Sequence, residues 1–156
     1  MNLFFRKMVA DHSYLIVQIG FLLDALERIK QNGFNPDDVS IIKKVINYFN
    51  SDLKNHNQLE EVNLFTKSKS VKKISILANR LKAEHRIMWD KIEILKEVLE
   101  QYELDHTDLN FSNLYKTSTS LIDLIRNHIL KEDNELFPLL EKTLKKSDLD
   151  SLNKLI

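Results

Sequence analysis

HILKEDNELF, residues 128–137, sets a histidine and an acid four positions apart in a stretch that otherwise reads as an apolar helix. HNQLEEVNLF, residues 56–65, repeats the arrangement 72 residues earlier: His, Glu at +4, Leu at +8 and Phe at +9. Helix positions that face a core are rarely given to ionisable side chains unless these are paired or hold an ion. Two copies of one costly pattern therefore tie the fold to a chemistry.

Outward from these two stretches, apolar residues recur every three or four positions along four segments. The first runs through Phe5, Met8, His12, Leu15, Ile19, Leu22, Leu26 and Ile29, and the second through Ile42, Ile46, Phe49, Leu53, His56, Glu60 and Leu64. The third takes in Ile74, Ala78, Leu81, His85, Met88, Ile92, Leu95 and Leu99, and the fourth Leu114, Ser118, Leu121, Ile125, His128, Glu132 and Leu136. This is the seam that bundle helices present to one another. It predicts helices over about residues 2–32, 37–66, 70–104 and 109–145, with a short C-terminal helix over about 147–155 opened by Ser147 as N-cap. Short connections around Gly33–Pro36, TKSKS and DHTDLN make the fold class all-α, an up-down-up-down antiparallel four-helix bundle.

Composition agrees with that architecture and removes several functions. The 156 residues, 43% of them apolar, suffice for one core, so residues 1–156 are read as a single domain. Only two glycines and two prolines occur, too few for a turn-rich β fold. Lys and Arg number 23 and so do Asp and Glu, leaving no basic excess for nucleic acid. The absence of cysteine excludes disulfides, thiolate metal sites and thiol catalysis. Gln18 and Asp24 interrupt the longest apolar run, and the N-terminus lacks a leader pattern, so the expectation is a cytoplasmic protein without a membrane span.

The histidines fall at one level of the bundle. His12 and His56 each lie about 22 residues from the first turn, and His85 and His128 about 21 or 22 from the second, so at about 1.5 Å per residue all four sit about 33 Å from one end. Glu60 and Glu132 follow one turn on and about 40° round, placing two carboxylates beside four inward-facing imidazoles. A metal-free network is the competing reading, but neutral imidazoles have too few donors to satisfy two buried glutamates. Two cations satisfy the set directly, with carboxylates able to bridge and room for water, oxo or hydroxo between the metals. Nitrogen and oxygen donors without thiolate suit iron, with manganese or zinc as substitutes.

The order His12, His56-x-x-x-Glu60, His85, His128-x-x-x-Glu132, with LF after each acid and Pro138 after the second, resembles the hemerythrin-like (HHE cation-binding) domains over residues from about 5 to 145. The resemblance implies a non-haem di-iron centre that binds or senses O2, NO or related small oxidants. Oxygen-carrying hemerythrins have a fifth histidine one turn after the third; here that position is Trp89. The resemblance is therefore nearer to bacterial HHE proteins linked to oxidative or nitrosative stress, iron homeostasis and repair of iron centres.

Two other classes compete with a binding or sensing protein. One is a di-metal enzyme: an oxidase, a peroxide scavenger or a nitric-oxide reductase. The other is an interaction module with a structural metal and an unidentified protein partner. Glu61 and Asp133, five residues after their histidines and about 140° off the seam, are read as solvated, with a ligand role only where the helix bulges. His106 is read as a surface or capping residue. Trp89, Phe49, Tyr14, Tyr48 and Tyr115 are read as packing aromatics, and KSKSVKK, residues 67–73, as a solvated loop.

Overall fold

The computed structural model describes residues 1–156 and contains helices joined by short turns, with no strand. Helix α1 spans Leu3–Asn32; Asn2 caps it by accepting from the Phe4 N–H, and Gly33, at φ 82°, ends it in a conformation that disfavours any side chain. Helix α2 covers residues 36–67, opened by Asn35 as N-cap and Pro36 in the first turn. Helix α3 is Lys72–Leu104, and α4 covers 108–143, capped by Thr107 through the Asn110 N–H at 3.1 Å. Helix α5 is Lys146–Asn153. The boundaries lie within a few residues of those read from the periodicity.

Three departures carry physical content. First, α2 and α4 are not uniformly α-helical: Phe49–Leu53 and Glu60–Leu64 in α2 and Glu132–Leu136 in α4 are π-helical turns. Seam residues at His56, Glu60 and Leu64 are spaced four and four, which drifts about 80° in a straight α-helix of 3.6 residues per turn. One wider turn absorbs the drift, so all three stay buried. His128, Glu132 and Leu136 repeat the device.

Second, α5 begins at Lys146 with Lys145 as its cap, so Ser147 lies inside the first turn and caps nothing. The helix is held by burial rather than by capping. Leu152 is fully enclosed, and the Asn153 side-chain oxygen accepts from the Phe4 N–H at 3.1 Å. Third, the basic run is not wholly solvated, because Lys67 donates to Asp148 of α5 at 3.1 Å.

The bundle interior has three layers. Toward the Gly33 end lies the larger apolar cluster, which includes Leu15, Ile19, Met88, Ile92, Ile125 and Ile129. Toward the termini lies a smaller one built on Phe4, Phe5, Leu64, Phe65, Leu136 and Phe137, closed by Leu152. Between them the buried polar residues His12, His56, Glu60, His85, His128 and Glu132 form a layer of their own. Helix α1, taken whole, is long and apolar enough by length and composition to cross a bilayer, which the interruptions at Gln18 and Asp24 had argued against. Here its apolar seam packs into both cores, and His12 sits between them.

Candidate metal centre

All six residues singled out by their spacing meet in the middle layer, and both glutamates are fully buried. They form two groups that share the glutamates. One is His12, His56, Glu60 and Glu132; the other is His85, His128, Glu60 and Glu132. In each group the donor atoms lie within 4.8 Å of one another. The two carboxylates divide their oxygens between the groups. Glu60 places Oε1 3.2 Å from His56 Nε2 and Oε2 3.4 Å from His85 Nε2. Glu132 places Oε2 3.1 Å from His12 Nε2 and Oε1 2.7 Å from His128 Nε2. Each imidazole pair thus belongs to one hairpin, and each carboxylate spans both pairs.

The outer edges of the imidazoles are held by four further acids. Nδ1 of His12 faces Asp133 at 2.7 Å, Nδ1 of His56 faces Asp11 at 3.2 Å, Nδ1 of His85 faces Glu61 at 2.9 Å and Nδ1 of His128 faces Glu84 at 2.7 Å. A proton on each Nδ1 satisfies these contacts and leaves each Nε2 as a bare acceptor turned inward. Glu61 and Asp133 are therefore not idle surface acids. The π-turn that begins at Glu60 or Glu132 swings the next residue toward the imidazole of the other hairpin. Asp11 and Glu84 escaped the sequence reading, although each immediately precedes a histidine and the two dipeptides recur at an offset of 73. The repeat also governs the aromatic contacts: Phe137 stacks on His12 at 5.7 Å and 10°, and Phe65 stacks on His85 at 5.6 Å and 28°.

Four Nε2 and four carboxylate oxygens now face a common interior. Although the Nε2–Oε separations are short, none of the four glutamate oxygens has a hydrogen-bond partner of acceptable direction. His12 Nε2 and His56 Nε2 are 2.9 Å apart, and His85 Nε2 and His128 Nε2 are 3.0 Å apart. Eight acceptors converging without donors are repulsive unless positive charge sits among them. The charge count points the same way. Six carboxylates surround the histidines, and two lysines compensate: Lys7 pairs with Asp11 at 2.6 Å and Lys131 pairs with Glu84. Four negative charges remain, which two divalent cations balance.

Protons take that role when no cation is present. Burial pushes the imidazoles of His56 and His128 down, but Glu60 and Asp11 around the first, and Glu132 and Glu84 around the second, outweigh it and raise both to about 10. His12 is raised against its burial by Asp133 and Glu132. Burial pushes Glu60 up, yet His56 and His85 hold its carboxyl well below the usual carboxylate range.

A void of about 10 Å3 adjoins this layer on the side of the larger core, lined by His12, His56, Asn57, His128 and Glu132 together with Leu15, Leu53, Met88, Ile125 and Ile129. Outside the bundle, an open cleft of about 410 Å3 between α1 and α2 reaches the edges of His12 and His56 past Tyr14, Tyr48 and Asp52.

The family model for the hemerythrin HHE cation binding domain matches residues 3–140. The chain belongs to the hemerythrin family. No curated protein matches it. As a hemerythrin-family chain with two buried His/Glu clusters, it is a metal-binding protein, and the middle layer gathers side chains that could hold a cation. The other residues considered earlier lie away from that layer. His106 stacks on Phe34 at 3.4 Å and donates to the Glu103 carbonyl at the far end of the bundle. Tyr115 donates to Glu27, Phe49 is enclosed in the larger core, and Trp89 packs partly buried against it. Tyr14 and Tyr48 do border the cleft beside His12 and His56, with their rings 5.5 Å apart.

Proposed function

We propose that the protein is a non-haem di-iron protein that ligates O2, NO or a related small oxidant. In this reading His12 and His56 would hold one ion and His85 and His128 the other, with Glu60 and Glu132 available to both. The observation that carries it is the division of both glutamates between two imidazole pairs, with every Oε unpartnered and every Nδ1 held from outside. Four imidazoles and two carboxylates without sulfur favour iron, with manganese or zinc as substitutes.

Two such ions supply exchangeable positions and one-electron redox chemistry. The surrounding chain does the rest. Asp11, Glu61, Glu84 and Asp133 orient the imidazoles and keep Nε2 free, which raises ligand basicity. The void is walled by Leu15, Leu53, Met88, Ile125 and Ile129, which keep bulk water from the inner face and leave room for only a small ligand. At the sequence position where oxygen-carrying hemerythrins have a fifth histidine this chain has Trp89, which packs against the larger core, so the site would draw on four histidines. A void of about 10 Å3 is about what one water needs, which counts against a substrate larger than a small molecule such as O2 or NO.

Anaerobic loading with Fe(II), followed by admission of air or NO, tests the assignment. Two irons per chain and new near-ultraviolet absorption are expected; a flat spectrum with no bound metal rejects it. Uptake that stops at one equivalent of ligand marks a binding or sensing protein. Continuous consumption of peroxide or NO marks an enzyme, including the oxidase, peroxide-scavenger and nitric-oxide reductase classes.

A further inference from the structure

Asn57 follows His56 on α2 and is only 3% exposed, yet its side-chain Nδ2 has no hydrogen-bond partner. Buried amide groups are nearly always paired, because water has been given up on folding and must be replaced. The neighbourhood supplies a reason for this exception. Asn57 lines the small void beside the cation site, where the other polar neighbours are His12, His56, His128 and Glu132. In the di-iron reading those four are acceptors committed to the cations. Asn57 is the one residue of the lining that offers a neutral amide donor. Its other side borders an outer groove shared with Lys54, Gln58, Glu61 and Trp89, so it forms part of the wall between the void and the outside.

We propose that Asn57, through Nδ2, donates a hydrogen bond to a small anionic or strongly polarised ligand held at the cation site beside the void, and thereby sets which small ligands the site retains. This rests on the di-iron reading above. A donor fixed in a dry, low-dielectric pocket is worth most against the atom that carries negative charge, since charge-assisted bonds are the stronger class. No reorganisation is needed, because the amide is already desolvated and waiting without a partner. Asn57 contacts the bound ligand directly in this scheme, with the metal ligands left untouched.

The test uses the full chain loaded with iron and azide as the probe, in the wild type and in Asn57→Leu, which keeps the branched outline of the side chain and removes the amide. Wild type is expected to bind azide with an antisymmetric stretch that shifts between H2O and D2O. Asn57→Leu is expected to hold two irons, to bind azide roughly 10-fold or more weakly, and to lose the isotope shift. The metal-free Asn57→Leu chain is expected to melt no lower than wild type, because an orphaned donor has been exchanged for packing. Equal azide affinity and an unchanged band in the two proteins overturn the role of Asn57 while leaving the di-iron reading intact. A lower melting temperature for the metal-free variant, or failure to fold, makes Asn57 a structural residue and also overturns the proposal. Wild type that takes up no iron overturns the di-iron reading itself, and this inference with it.

Discussion

Asp133 accepts from Nδ1 of His12 at 2.7 Å, joining α4 to α1 through a residue that straight α-helical geometry would turn away from the bundle interior. Outer partners of this kind fix the tautomer of a ligand imidazole and raise its basicity. Asp133→Asn is expected to preserve the bundle while lowering metal affinity roughly 10- to 100-fold. Competition with a calibrated chelator measures it, and Glu61→Gln should behave alike at His85. An unchanged affinity in both variants would remove the orienting role assigned to these acids.

The shared glutamates make a stoichiometric prediction. His12 serves only one of the two groups, whereas Glu132 serves both. His12→Ala is therefore expected to retain one ion per chain, and Glu132→Ala to weaken both. Metal analysis after gel filtration distinguishes these outcomes. Equal loss in the two variants would argue that the groups are not separate sites joined by carboxylates.

Acidity has opposite effects on the two forms of the protein. Without metal, His56 and His128 titrate near 10, above the value of about 6.5 for a free imidazole. A folded-state pKa raised in this way stabilises the fold fully below the unfolded pKa and ceases to do so as pH rises through the folded one. The metal-free protein is thus expected to lose stability between about pH 6.5 and pH 10. Metal binding displaces those protons, so affinity is expected to rise with pH over the same range. Thermal melts with and without metal, taken at several pH values, should show the two trends diverging.

Packing below the site is a further point of failure. Phe137 lies against both His12 and Phe5, with ring centroids 5.7 Å and 5.4 Å away. Phe137→Ala is expected to cost about 3–5 kcal/mol by opening a cavity in the smaller core. Chemical denaturation quantifies the loss. Reduced metal affinity should accompany it, since His12 loses the ring that holds its plane.

The bundle and its six-residue layer were legible because seam spacing and distance from each turn are properties of the chain alone. His12, His56, His85 and His128 reach one level by helical rise, whatever their side-chain contacts. The outer acids were less legible. Glu61 and Asp133 look solvated until the four-and-four spacing of His56, Glu60 and Leu64 is read as the mark of a wider turn. Asp11 and Glu84 sit one residue from the seam, and only their repetition before His12 and His85 distinguishes them from other surface acids. Asn57 gives no sequence signal at all, since its meaning depends on a void closed by residues from all four long helices. Ser147 shows the opposite error, a good capping residue at the right place for a helix whose start is decided by the burial of Leu152 instead.

Whether two cations share two carboxylates inside this bundle is decided by anaerobic titration of the metal-free chain with Fe(II), followed by Mössbauer spectroscopy. Saturation at two irons per chain is expected, with both sites high-spin and bound through nitrogen and oxygen only. Saturation at one iron, or no uptake while the bundle remains folded and its melting temperature is indifferent to metal, would contradict it.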